Sequence, residues 1–153
     1  MLKTINVMLD SLVTDPDNPD RERGIPSMPV RSHPADAGAD LFSVGFHRVP
    51  AHGFAIVDTG THMEIPVGYA GLIRSRSGMN MKHGIFAQGT IDAGYTGSIR
   101  VCLMNLSDEP YEVYHHDRIA QLLIVPVALP EFIQVDELAE TERNDGGFGS
   151  TGR

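Results

Sequence analysis

Gly89-Thr90-Ile91-Asp92-Ala93-Gly94-Tyr95-Thr96-Gly97 sets three glycines around one carboxylate and one aromatic ring. The stretch reads as a tight β-hairpin, because glycine enters turn conformations that other residues avoid. The tip of a hairpin presents unpaired backbone N–H and C=O groups, which suit the hydrogen-bonding edge of a small planar base. Asp92 would there be placed to orient and deprotonate a water. A plain turn at Asp92-Ala93-Gly94 satisfies the same residues, so on its own the stretch leaves both readings open.

Working outward, the same texture recurs. Segments rich in β-branched and aromatic residues lie between turn signals at Thr4–Leu9, Asp40–Val44, Phe54–Asp58, His62–Ile65, Tyr69–Arg74, Ser98–Met104, Tyr111–Tyr114, Ile119–Val127 and Phe132–Val135. With 16 Gly and 10 Pro in 153 residues, the chain is punctuated too often for a helical protein. The expectation is one all-β domain over residues 1–142, a sandwich, barrel or jelly roll. Helix is expected only in a turn or two after Ser77 and over Asp136–Glu142. Asp15–Gly24, broken by two prolines, reads as an irregular surface loop. Residues 143–153 hold four glycines and, beyond Phe148, almost nothing apolar. Such a tail is either disordered or ordered by a ligand.

Composition excludes several functions. A formal charge of -8 leaves no broad basic face for nucleic acid. Arg74, Arg76 and Lys82 nevertheless share an acid-free stretch, and an anionic ligand belongs there. No apolar run is long enough for a membrane span, and no signal-peptide layout opens the sequence, so a soluble cytoplasmic protein is expected. Cys102, the single cysteine, sits in an apolar run and reads as a small buried hydrophobe. The histidines show no metal-cage spacing.

Four other stretches could carry chemistry. In Arg76-Ser77-Gly78, Ser77 is a candidate N-cap and Arg76 a candidate bidentate phosphate clamp; a capped turn beside solvated arginines fits equally. Asp40, delivered into a strand by Ala37-Gly38-Ala39, could hold magnesium through its waters or simply cap a turn. Strand alternation places Arg118 and Ala120 on one face and Ile119 and Gln121 on the other, which leaves Gln121 as a core polar group or a ligand contact. The tail Arg143 to Gly152 has the makings of a phosphate cradle, with Phe148 free to stack on a flat ligand.

Taken in chain order the five stretches resemble the five motifs of the trimeric dUTP pyrophosphatase (dUTPase) family. The resemblance implies a dUTPase-like β-barrel or jelly roll (β-clip) with a short helix and a mobile C-terminal arm over residues 143–153. It implies a homotrimer with sites between subunits, hydrolysis of dUTP to dUMP and pyrophosphate, and Mg2+ on the triphosphate supported by Asp40. By position, Asp92 would activate the water and Tyr95 would pack on the deoxyribose. The backbone of Gln88, Gly89, Thr90 and Ile91 would read uracil. Arg76, Ser77, Gly78 and Gln121 would hold phosphates; Arg143, Phe148, Gly149, Ser150 and Thr151 would arrive with the arm. Thr96 and Ser98 stand where the family often has arginine and glutamate.

Two rivals are weighed. A dCTP deaminase shares the fold, but its catalytic glutamate would fall at Cys102, and a thiol cannot do that proton transfer. A binding module without turnover is the other; intact Asp92 and Arg143 argue against lost catalysis, and an added protein partner at the Asp15–Gly24 loop stays open.

Overall fold

The computed structural model describes residue 2, residues 4–15 and residues 18–141. The arm and its residues Arg143, Phe148, Gly149, Ser150 and Thr151 lie outside these. In chain order the described elements are β1 (Val7–Leu9), β2 (Val13–Asp15), β3 (Asn18–Gly24), β4 (Ala39–Phe42), β5 (His47–Val49), β6 (Phe54–Asp58), β7 (Thr61–Met63), β8 (Tyr69–Arg74), α1 (Ser77–His83), β9 (Ile85–Ile91), β10 (Arg100–Asn105), β11 (Tyr111–Val113) and β12 (Arg118–Pro126). One antiparallel sheet runs β4-β12-β8-β9-β10-β6, with two-stranded ribbons β1-β7, β11-β5 and β2-β3 beside it.

Period-two alternation gives the sheet one buried face. Along β10, Val101, Leu103 and Asn105 point inward and are fully buried, while Arg100 faces solvent. Leu41, Ile73, Ile85 and Ile119 from other strands of the sheet meet Val49 and Val113 from the β5–β11 ribbon in one core. Each such buried aliphatic side chain contributes about 1.5–3 kcal/mol. Asn105, the fully buried polar residue among them, is satisfied: its amide donates to the Glu109 carbonyl at 2.7 Å, and its Oδ1 accepts from the Ser107 N–H at 2.9 Å. The all-β, jelly-roll-like architecture with a short helix is as expected.

Four local readings change. Asp15–Gly24 is a β-ribbon, β2 with β3, rather than an irregular loop. A two-stranded ribbon has only edges, so Pro19 removes no interior ladder bond. Ser77 does not cap α1: Arg76 is the N-cap, in extended conformation and without a side-chain cap bond, and Ser77 is the first helical residue. Phe132–Val135 forms no strand, and Phe132 is 95% exposed. Residues 136–141 carry no helix, and Glu142 lies outside the described residues.

Helix α1 is positioned at both ends. Met79 buries into the core, and Gly84 ends the helix at φ 66°, where its N–H donates to the Asn80 carbonyl at 3.0 Å. Lys82 and His83 in the last turn suit the negative end of the helix.

Candidate active site

The sheet register gathers three of the motif stretches. Asp40 stands opposite Gln121, Gln121 opposite Arg74, and Arg74 opposite Gln88. Directly opposed residues share a face, so four polar side chains line one rung across β4, β12, β8 and β9. Arg74, read from sequence only as part of the basic stretch with Arg76 and Lys82, is brought to the site by its place in the rung.

A β-bulge at Arg118/Ala120 completes this face. The extra residue buries both Ile119 and Ala120 and leaves Arg118 and Gln121 together on the outer side, against the simple alternation expected from sequence. Arg118 therefore reaches Asp40, NH1 to Oδ2 at 3.4 Å. Arg76 donates from Nε to Asp40 Oδ1 at 3.0 Å and from NH1 to the Arg118 carbonyl at 3.0 Å. Asp40 is thus held between two guanidinium groups, and Arg76 is fixed through part of its donor fork. Gln121 donates from Nε2 to the Ser75 carbonyl at 3.0 Å. Gly38 lies against it, and a Cβ there would stand 2.6 Å from Gln121 Oε1 and push that amide aside. A cavity of about 330 Å³ opens here, lined by Asp36, Gly38, Asp40, Arg74 and Gln121 among others. Ser77 and Gly78 are exposed at the adjoining start of α1.

The Gly89–Gly97 stretch is not a tight hairpin. β9 pairs with β10 only from Ile85 to Ala87, then follows β8 from Gln88 to Ile91, while β10 follows β6. The two strands part above Ala87 and Leu103. Between them lies a cavity of about 400 Å³ lined by Ile56, Gln88, Thr90, Ile91, Asp92, Tyr95, Arg100 and Cys102. Parting strands leave backbone groups without a ladder partner, which favours base reading more than a closed hairpin would. Asp92 is exposed at the rim, and the Tyr95 N–H donates to its carbonyl at 3.2 Å around Gly94 at φ 84°. Tyr95 donates from its hydroxyl to the Ser98 carbonyl at 3.0 Å. Cys102 is half-buried on the cavity wall rather than in the core.

Gln88 borders both regions, but Asp92 and Arg76 stand far apart within one chain. Gly71 stands opposite Ile91, so Asp92 lies level with the start of β8, whereas Arg76 follows its end at Arg74. Six residues of strand separate them, roughly 20 Å.

A dUTPase family model matches residues 26–152. The chain is 47% identical over 138 residues to the deoxyuridine 5'-triphosphate nucleotidohydrolase of Mycobacterium leprae, covering 84% of this chain and 89% of that protein. It is 46% identical over 129 residues to the enzyme of the same name from Corynebacterium diphtheriae, covering 82% and 85%. Among solved structures it superposes on a Staphylococcus bacteriophage 80alpha dUTPase with dUPNHPP at a TM-score of 0.84, with 31% identity over 99% of this chain and 100% of that one. A dUTPase of S. aureus phage phi11, solved with a structural Mg(II) ion, matches at a TM-score of 0.73 with 30% identity, over 88% of this chain and 98% of that one. The arrangement of the parted strands and the polar rung, with these likenesses spanning most of the sequence, establishes that the chain belongs to the dUTPase family.

Proposed function

We propose that this chain hydrolyses dUTP to dUMP and pyrophosphate in sites shared between the copies of a homotrimer. The observation that carries the shared site is the placement of Asp92 and Arg76 at opposite ends of β8. One chain holds a base-sized cavity with a carboxylate at its rim, and a separate cationic face for phosphates. A symmetric assembly can bring the first of one copy to the second of another.

In this reading the parted backbone at Gln88, Gly89, Thr90 and Ile91 reads uracil, and Tyr95 packs on the deoxyribose where a 2'-hydroxyl would clash. Arg76 and Gln121, with Ser77 and Gly78 at the start of α1, hold the phosphates. Asp92 accepts a proton from a water as its oxygen bonds to the α-phosphorus; the bond from that phosphorus to the bridging oxygen breaks, and pyrophosphate leaves. Arg143, Phe148, Gly149, Ser150 and Thr151, in the arm over residues 143–153, close over a neighbouring copy's site.

Magnesium fits this donor set in one way. Among the described residues no cluster of three His, Cys, Asp or Glu exists to cage an ion. Asp40, already between Arg76 and Arg118, suits an ion carried in on the triphosphate that keeps its waters. When bound, the ion neutralises phosphate charge. The products would supply dUMP for thymidylate synthesis and keep uracil out of DNA. Because dUTP is an intracellular nucleotide, the cytoplasm is the working compartment.

Mixing two inactive variants tests the shared site. Asp92→Asn and Arg76→Ala chains, unfolded and refolded together in equal amounts, should regain about a quarter of wild-type pyrophosphate release, because random assembly pairs intact halves in that share of sites. No recovery in mixed assemblies would place the whole site in one chain and defeat the reading.

A further inference from the structure

His62 stands in β7 opposite Met8 of β1, away from the phosphate face and from the rim of the base cavity. Its imidazole is largely covered and bridges two acceptors: Nδ1 lies 2.8 Å from the Thr96 carbonyl and Nε2 lies 3.0 Å from Asp10 Oδ1. A carbonyl and a carboxylate only accept. Both ring nitrogens must therefore donate, and the ring that satisfies both partners is the imidazolium.

Thr96 belongs to the turn that bears Asp92 and Tyr95. Downstream, that turn is bolted to the β6–β7 corner: Ser98 donates from its hydroxyl to Asp58, the Ile99 N–H donates to the Thr61 carbonyl at 2.8 Å, and Thr59 donates from Oγ1 to the Ile99 carbonyl at 2.7 Å. Thr96 itself is exposed, two residues ahead of the first bolt. The bond from His62 extends the anchorage into the part of the turn nearest Tyr95.

We propose that His62, braced by Asp10, is a positioning residue for the reaction that fixes the Asp92–Tyr95 turn through the Thr96 carbonyl. The inference rests on the reading of Asp92 as the proton acceptor. The charged groups around the ring are acidic: Asp10 beyond β1, Asp58 at the end of β6, and Glu64 beyond β7, which accepts from the Asn6 amide at 2.7 Å. The Thr96 carbonyl foremost, then Asp10 and Asp58, hold His62 above the usual imidazole range against its partial burial. Deprotonation above that point removes one of the two donors and releases either the turn or the brace.

The test is the pH dependence of dUTP hydrolysis by the full chain, from about pH 5 to about pH 10, for the wild type, His62→Ala, His62→Gln, Asp10→Asn and Asp92→Asn. His62→Ala should lose about ten- to a hundredfold in kcat with KM little changed, because misplacement of the water-orienting group is felt in the transition state. His62→Gln, whose amide can still donate to Thr96, should recover part of kcat and lose the alkaline limb. Asp10→Asn should move that limb to lower pH, which also decides the matter if His62→Ala does not fold. With Asp92→Asn inactive, a His62→Ala kcat within about twofold of wild type, or an alkaline limb unmoved in His62→Gln and Asp10→Asn, overturns the inference. An Asp92→Asn enzyme as active as wild type overturns the Asp92 reading first, and this one with it.

Discussion

Arg76 and Asp40 are joined across 36 positions of sequence by a 3.0 Å hydrogen bond from Nε to Oδ1. Asp40 is the counter-charge for both Arg76 and Arg118. Asp40→Asn should therefore destabilise the fold by only about 1 kcal/mol, since water still reaches the arginines, but it should raise KM for dUTP as Arg76 loses its fixed orientation. Urea unfolding and steady-state kinetics read the two effects separately.

Asp92→Asn keeps the size of the side chain and removes the proton acceptor. The expected loss is about 10²–10⁴-fold in kcat with KM within a few-fold. Pyrophosphate release measured with dUTP is the assay.

Gly97→Ala places a Cβ 2.5 Å from the Tyr95 hydroxyl. The ring must swing, since its hydroxyl is the far end of a movable side chain. The variant should fold normally and discriminate less between dUTP and UTP; a ratio of kcat/KM values unchanged from wild type would show that Tyr95 does not guard the sugar.

Two histidines pull stability in opposite directions with pH. His115, whose Nδ1 accepts from the Gly45 N–H at 3.3 Å, is held below the usual imidazole range by burial and by neighbouring His116. Its contribution is intact above about pH 6.5, the unfolded value, and is lost as pH falls from there through the folded pKa. His62 is raised, so its contribution is full below about pH 6.5 and is lost as pH climbs through its folded pKa. The midpoint of urea unfolding should fall less on acidification in His115→Gln, and less on alkalinisation in His62→Gln, than in the wild type.

Removing residues 143–153 should leave the described fold intact by circular dichroism, with little dUTP turnover. Near-normal turnover by the truncated chain would mean that the arm closes no site.

The sequence was most legible where β-branched and aromatic runs lie between clear turn signals. Phe54–Asp58 and Tyr69–Arg74 form strands with the expected boundaries. β5 was hidden because His47-Arg48-Val49 offers a single fully buried side chain. β9 was hidden because Gln88 and Gly89 interrupt its pattern, and that glycine lies against Ile73 on the neighbouring strand. β2 and β3 looked like solvated loop because a proline and several acids break the apolar pattern, a composition that a ribbon with no interior tolerates. Phe132–Val135 has the composition of a strand, but composition does not supply a pairing partner. At the site, the motif residues could be named from sequence; the separation of Asp92 from Arg76 toward opposite ends of β8 could not, because it follows from ladder register over long sequence separations.

The bulge in β12 has a consequence for how this chain can change by insertion and deletion. Cutting Ile119 would leave Arg118 two places before Gln121 in a regular strand, still on the same face, and would remove a buried side chain from the core. The bulge accommodates an added core side chain without putting the two polar contacts out of phase. Losing one residue here should be felt as lost stability before it is felt at the polar face, whereas a second insertion beside the bulge would put Arg118 and Gln121 on opposite sides.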